Sequence, residues 1–297
     1  MAHATNFYKS LFDSPPQIHL KLSPNFWNGR GQLLDSDKLE LIKPFSEEEV
    51  KFAIFDMRSD SAPGPNGFGA KFFQTFWGPL KDDNLSLFQD LYLDKLDIQR
   101  LNYGVITLVP KVVDANTIKN FRPICLLNVD YKGITKVLTN RFTPVAPKLI
   151  GGNQTGFIKG RNILEGVLIL HEVVHELRTK GKRGLILKID FEKAYDKVNW
   201  NFLLQSLRMK GFSSKWIEWI KSFISGGSVA ININDEVGPY FQTKKGVRQG
   251  DPLSPILFNI VSDMLTLFIN RAKAEDQLSG VVPHLIEGGL SICTIIR

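Results

Sequence analysis

The stretch Leu185 to Ile189 constrains this chain more than any other feature. It is apolar on both faces of an extended strand, is cut off from the helical pattern before it by Gly181 to Gly184, and runs directly into Asp190. A strand without a polar face belongs in the middle of a covered sheet. An aspartate at the end of such a strand is costly unless a cation meets it, and a divalent metal is the usual partner. The same residue could instead cap a following helix, and the segment alone leaves both readings open.

The rest of the pattern alternates helices and strands. A short amphipathic helix is expected around Asn6 to Phe12, then an irregular, Pro-containing stretch to Lys43. Ser46 with Glu49 three residues on forms a capping box, and Val50, Ile54 and Met57 follow at helical spacing. The turn-rich segment Ser61 to Gly67 stops that helix, and residues 70 to 92 are expected to be helical again, with Phe72, Phe73, Phe76 and Trp77 packing rather than binding a ligand. Tyr103 to Val109 reads as a strand ending at Pro110-Lys111, Ile124 to Leu127 as a second apolar patch, and Tyr131 to Phe142 as a helix. Residues 162 to 179 form an amphipathic helix, Trp200 to Lys210 and Lys215 to Phe223 two more, and Leu253 to Ala274 the last. Ser228 to Ile233 and Tyr240 to Thr243 are expected to form a hairpin around Asn234-Asp235 and Gly238. This mixed order points to an α+β fold, and 297 residues can bury an ample core.

Composition excludes several classes. Apolar residues are 43% and charged residues 23% of the chain, which argues against disorder, collagen and coiled coil. No apolar run reaches the roughly 18 residues a bilayer requires, so neither membrane insertion nor secretion is expected. Two cysteines, Cys125 and Cys293, make no disulfide framework and suit a reducing, intracellular compartment, nucleus or cytoplasm. Charge is unevenly spread. Residues 100 to 184 hold 14 Lys and Arg against 5 Asp and Glu, a balance of +9 in a chain whose total is +7. Such a block suits a polyanion, because each neutralised phosphate releases a counterion, although a solvated basic face would have the same composition.

His171-Glu172-Val173-Val174-His175 matches a zinc-peptidase pattern, in which two imidazoles one helical turn apart share a metal. A third protein ligand is missing. Arg178 stands where the extended pattern needs glycine, and Glu192 lies beyond the next strand. An ordinary amphipathic helix crossing a sheet accounts for the segment better.

A more specific signal is the order of several motifs. They are Pro110-Lys111, then Phe121-Arg122-Pro123-Ile124, Gln154-Thr155-Gly156-Phe157, Asp190 with Ala194-Tyr195-Asp196, and Gly246-Val247-Arg248-Gln249-Gly250-Asp251-Pro252-Leu253-Ser254-Pro255. The series resembles the reverse transcriptase of non-LTR (LINE-type) retrotransposons over nearly the whole chain. Ala62-Pro63-Gly64-Pro65-Asn66-Gly67 resembles the A-P-G-P-D-G segment that precedes the polymerase in that family, with Asn66 where aspartate is typical.

The resemblance implies an RNA-directed DNA polymerase folded as a right hand. Residues 1–99 would precede the polymerase, 100–184 would form the fingers, and 185–297 part of a ferredoxin-like palm, with no thumb. The partners it implies are an RNA template, a DNA primer and a deoxynucleoside triphosphate, and the cofactors are two Mg²⁺ ions. Asp190 would be the first metal-binding carboxylate and the Phe191 carbonyl the ligand beside it. Tyr195 would be the aromatic gate against a ribose 2′-hydroxyl. Lys111 and Arg122 would hold the triphosphate, and Gln249 and Gly250 would lie beneath the nucleotide sugar and template base. Arg161, Asn162 and Arg248 would touch the template. A strand-end lysine and a solvated arginine are the plain alternatives at 111 and 122.

One departure matters for activity. The family supplies a second pair of aspartates from a later [YF]-A-D-D hairpin, whereas Glu287 is the one acidic residue after Asp276 in this chain. Gly288 to Ile292 resembles the approach to that hairpin, and Thr294-Ile295-Ile296 resembles the residues on its far side. A short deletion, or a splicing or gene-prediction error, is the expected cause. A chain so altered is expected to be inactive as a polymerase and at most to bind nucleic acid.

Overall fold

The structure is a computed structural model that describes residues 1–13, 31–187, 189–285 and 289–292. Lys188, Glu287, Gly288, Cys293, Thr294 to Ile296 and the first part of the irregular stretch expected before Lys43 lie outside the described residues.

The caps act as their residue types require. Helix α1 runs Ala2–Leu11, starting four residues before the expected point, and α2 occupies Asp35–Ile42, where an irregular chain was expected. Asp35 and Asp37 open α2, and the Asp37 carboxylate accepts from the Leu34 N–H at 3.4 Å, meeting the positive end of the helix dipole. Helix α3, Glu47–Phe55, starts as expected at Ser46, whose hydroxyl accepts from the Glu49 N–H at 3.3 Å. The Glu49 side chain does not close the capping box. It pairs instead with Arg141 at 2.7 Å. The expected helix over 70 to 92 is two helices, α4 Ala70–Thr75 and α5 Trp77–Tyr92. Pro79 has no N–H to offer the Thr75 carbonyl four residues back, so the ladder breaks at Phe76.

Strand β1, Tyr103–Pro110, and strand β2, Phe121–Leu127, pair antiparallel with Ile106 opposite Cys125 and Val109 opposite Arg122. Helices α6 (Val129–Phe142), α7 (Ala146–Leu149), α8 (Ile163–Thr179), α9 (Trp200–Met209) and α10 (Ser214–Ile224) follow. Strand β3, Ser228–Ile233, then joins β1 in parallel, and β4 (Glu236–Val237) and β5 (Phe241–Gln242) both pair antiparallel with β3. The expected turn at Asn234-Asp235 forms, with the positive φ values, 51° and 64°, that a tight hairpin needs, but it leads into β4, a strand that was not expected, while β5 lies within the expected Tyr240 to Thr243. Helix α11, Ser254–Ala274, closes the order. The result is a mixed α and β fold with sheet order β2-β1-β3-β4.

The core forms where apolar stripes of the helices meet. Tyr131, Ile134 and Leu138 on α6 repeat at helical spacing and are fully buried, as are Leu203 and Leu207 on α9 and Trp216 and Ile220 on α10. Phe142 stacks on Phe212 with ring centroids 5.5 Å apart, and the core as a whole draws on residues from Ala4 to Ile260.

Two further expectations fail. The described residues between Leu185 and Ile189 form no strand, and Leu185, Leu187 and Ile189 are 89%, 77% and 54% exposed. A strand needs a vacant ladder. Here the outward Cys125 N–H of edge strand β2 already donates to the Gln249 carbonyl at 2.7 Å, while β4 and β5 take the β3 side. Helix α8 forms as expected but does not cross the sheet: Gly166 and Val173 are its buried residues, and Leu164 and Leu168 are about two-thirds bare. Among the described residues no helix is long and apolar enough to cross a membrane.

Candidate active site

The loop after Phe191 and the turn before α11 are sewn together by backbone. Val247 donates its N–H to the Tyr195 carbonyl at 2.9 Å, Gly246 donates to the Val198 carbonyl at 2.8 Å, and the Trp200 indole donates to the Gly246 carbonyl at 2.7 Å. The contact is so close that a Cβ on Gly246 would sit 2.7 Å from the Asp196 carbonyl oxygen. Across this seam the Gln249 amide donates to Asp196 Oδ1 at 3.2 Å. The Gln249 carbonyl, in turn, is the group that caps the edge of β2.

The β1–β2 hairpin brings the basic residues to the same edge. Arg122 is exposed on β2 opposite Val109, and Lys111 follows two residues later on that face, its N–H donating to the Asn120 carbonyl at 2.8 Å. Lys111, Lys193 and Lys197 are all close enough to act on Asp196. Asp196 is only 2% exposed. Burial pushes its carboxyl up to about 6, while the Gln249 hydrogen bond and the three lysines pull the other way. Tyr8 on α1 faces the same carboxylate, and its phenol is pushed up to about 12, by burial first and Asp196 second.

Tyr195 stacks on Phe258 of α11, centroids 4.9 Å apart and planes 16° from parallel, which fixes its ring; burial pushes its phenol up to about 12. Asp190 and Phe191 lie on the exposed stretch before this seam, so Asp190 does not end a buried strand. Among the described residues no three His, Cys, Asp or Glu side chains gather where a metal ion could be held, and the donor set of a two-metal site is therefore not met by them. His171, Glu172 and His175 are likewise on α8, with no third ligand among the described residues.

Three residues expected to touch template have other partners. The Arg248 guanidinium turns inward, stacks over the Tyr131 ring at 4.7 Å, and donates through Nη2 to Asn102 Oδ1, the Tyr131 hydroxyl and the Phe223 carbonyl. Tyr131 donates onward to the Phe223 carbonyl at 3.0 Å, and Asp251 lies 3.4 Å from the same hydroxyl. Burial pushes the Asp251 carboxyl up, against the opposing pull of Arg248. This network ties the start of β1, α6 and the end of α10 to the 248–251 turn. Arg161 spends its fork on four backbone carbonyls, those of Gly151 at 2.6 Å, Gln154 at 2.8 Å, Ile150 at 2.9 Å and Pro147 at 3.2 Å. Asn162 caps α8, its Oδ1 accepting from the Leu164 N–H at 3.0 Å.

Sequence reasoning gave Asp196, Asn102 and Tyr131 no role. For Asp196 a signal existed, since it sits in the same short motif as Tyr195; for the other two there was none.

Residues 109–279, more than half of the chain, match the family of reverse transcriptases (RNA-dependent DNA polymerases). The chain belongs to that family. Its relatives place the reverse transcriptase among those of non-LTR retrotransposons. It is 28% identical to the Transposon TX1 uncharacterized 149 kDa protein of Xenopus laevis, over 94% of this chain and 21% of that protein. It is 28% identical to a Retrovirus-related Pol polyprotein from type-1 retrotransposable element R2 of Nasonia vitripennis, over 75% of this chain and 21% of the relative. A third, from type-2 retrotransposable element R2DM of Drosophila melanogaster, is 25% identical over 84% of this chain and 23% of its own length. The chain thus spans about a fifth of the length of these relatives.

Proposed function

We propose that this reverse transcriptase domain holds an RNA template, a DNA primer and an incoming deoxynucleoside triphosphate at the edge of β2, and that taken alone it does not join nucleotide to primer. The observation that supports the binding half is the bond between Cys125 and Gln249, which sets the Gln249-Gly250 turn against the strand that carries Arg122. Lys111 supplies a point charge and Arg122 a planar fork for the triphosphate. Gln249 and Gly250 lie beneath sugar and template base, and Tyr195, fixed on Phe258, excludes a ribose 2′-hydroxyl. In this reading 100–184 are fingers and 185–297 part of the palm, within an intracellular protein.

The two Mg²⁺ ions of the family's site need a set of carboxylates that the described residues do not bring together. Asp190 and the Phe191 carbonyl would be this chain's share of that site, and among the described residues no group of three His, Cys, Asp or Glu side chains gathers to hold a divalent ion. The inactivity we propose rests on that shortage of carboxylates.

Two measurements on one preparation test both halves. Affinity for primed poly(rA) should fall steeply with salt and rise with dTTP, and primer extension with Mg²⁺ should not exceed that of Asp190→Ala. Extension well above that control overturns the inactivity. Salt-dependent binding that ignores dTTP favours a second reading, a nucleic-acid-binding remnant, which the +9 balance of residues 100 to 184 supports.

A further inference from the structure

We infer that Asp196 is a positioning residue that decides which end of the Gln249 amide faces the nucleotide, an inference that rests on the nucleotide site proposed above. A glutamine amide has a donor end and an acceptor end of nearly equal shape, and its terminal torsion turns easily. An ionised carboxylate can only accept. The contact at 3.2 Å between Gln249 and Asp196 Oδ1 is therefore made by the Gln249 NH₂ group, which turns Oε1 away from Asp196.

The rest of Gln249 has little freedom. Its carbonyl is held by the Cys125 N–H at 2.7 Å, and the next residue, Gly250, has φ 114° and is jammed against the Cys125 carbonyl. The side-chain torsion is what remains, and Asp196 sets it. The end presented is then an acceptor, which selects a hydroxyl or amino donor on the substrate and rejects a phosphate oxygen or a carbonyl.

The arrangement is costly as pure architecture. Asp196 is buried at 2% exposure, yet its three lysine neighbours have other contacts: Lys197 pairs with Glu192 at 2.8 Å, Lys193 sits over the Phe7 ring at 4.2 Å, and Lys111 Nζ donates to the Lys119 carbonyl at 3.2 Å. A neutral asparagine of the same shape would fill the space without a buried charge, but its amide could both donate and accept, leaving Gln249 in two orientations.

The test measures dTTP binding to the chain on a primed poly(rA) template, read as stabilisation of the complex against a heparin trap. Asp196→Asn should weaken dTTP binding about five- to tenfold, the loss of one oriented hydrogen bond, while leaving affinity for primed template unchanged and the melting temperature no lower. Gln249→Leu should weaken dTTP binding as much, and the double variant no further. Wild-type affinity for dTTP in Asp196→Asn overturns the inference, as does a parallel loss of template affinity and stability, which a merely structural aspartate would produce. A wild-type chain that does not respond to dTTP at all overturns the nucleotide site, and this inference with it.

Discussion

A Cβ placed on Gly250 would lie 2.5 Å from the carbonyl oxygen of Cys125, closer than any real contact of that kind. The carbonyl belongs to β2, which is hydrogen-bonded along β1 and cannot withdraw. Gly250 also has φ 114°, a region that residues with a side chain rarely enter. Gly250→Ala thus combines backbone strain of about 1–3 kcal/mol with a steric clash. We expect it to lower stability by at least about 3 kcal/mol in urea denaturation. A loss under about 1 kcal/mol would mean that the turn is free to leave the strand.

Asp196 makes stability depend on pH in an unusual direction. Its carboxyl titrates near 6 in the folded chain and near its ordinary 3.8 when unfolded, so between those values the folded state binds more protons. Stability therefore falls as pH rises from about 4 to about 6, by up to about 3 kcal/mol at this site. Asp251 and Asp130, raised by burial as well, slope the same way. Subtracting the curve of Asp196→Asn from that of the wild type isolates the contribution of Asp196. The difference should favour the variant increasingly up to about pH 6 and be flat above it; a flat difference throughout would contradict the buried carboxylate.

These two sites also mark how far sequence reasoning reaches. Local rules carried the elements whose causes are local: the Ser46 cap, the Asn234-Asp235 turn, and β1 ending at Pro110. They failed at Leu185 to Ile189 because an apolar pattern states what a strand would bury, while pairing depends on whether a distant sheet edge is vacant. Motif order singled out the Gln249-Gly250 turn and Tyr195, which the fold brings to one seam beside Asp196. The inward turn of Arg248 and the four carbonyls around Arg161 could not be read, because a sequence displays the charge of a guanidinium and not the backbone that gathers around it. The burial of Asp196 was hidden for the same reason.

Lys210 and Asp263 form an ion pair at 2.6 Å with both side chains almost wholly buried, and Asp263 Oδ1 also accepts from the Gly151 N–H at 2.9 Å. The Lys210 ammonium donates as well to the Leu149 carbonyl at 2.5 Å, so the pair clamps the end of α7 to α9 and α11. Removing one partner leaves a buried charge alone, which costs about 3–5 kcal/mol. Lys210→Met and Asp263→Leu should each lose that much, and the double variant should lose clearly less than their sum. An additive double-mutant cycle would show that the two charges do not meet in solution.

Arg161 and Lys111 should separate architecture from binding. The Arg161 fork is spent on four carbonyls that end α7 and shape the turn after it, so Arg161→Lys, which keeps the charge and loses the fork, should cost about 2 kcal/mol of stability. Its effect on RNA binding should be small, with the slope of log affinity against log salt unchanged. Lys111 is exposed beside Arg122 at the hairpin end, where Lys111→Ala should leave stability and the salt slope of RNA binding alone and weaken dTTP binding on primed template about tenfold or more, the loss of one charge-assisted contact to a phosphate. The two variants should therefore swap readouts. Should Arg161→Lys lower the salt slope while the fold keeps its stability, Arg161 reaches the template after all, and its four carbonyl contacts are not what holds the turn.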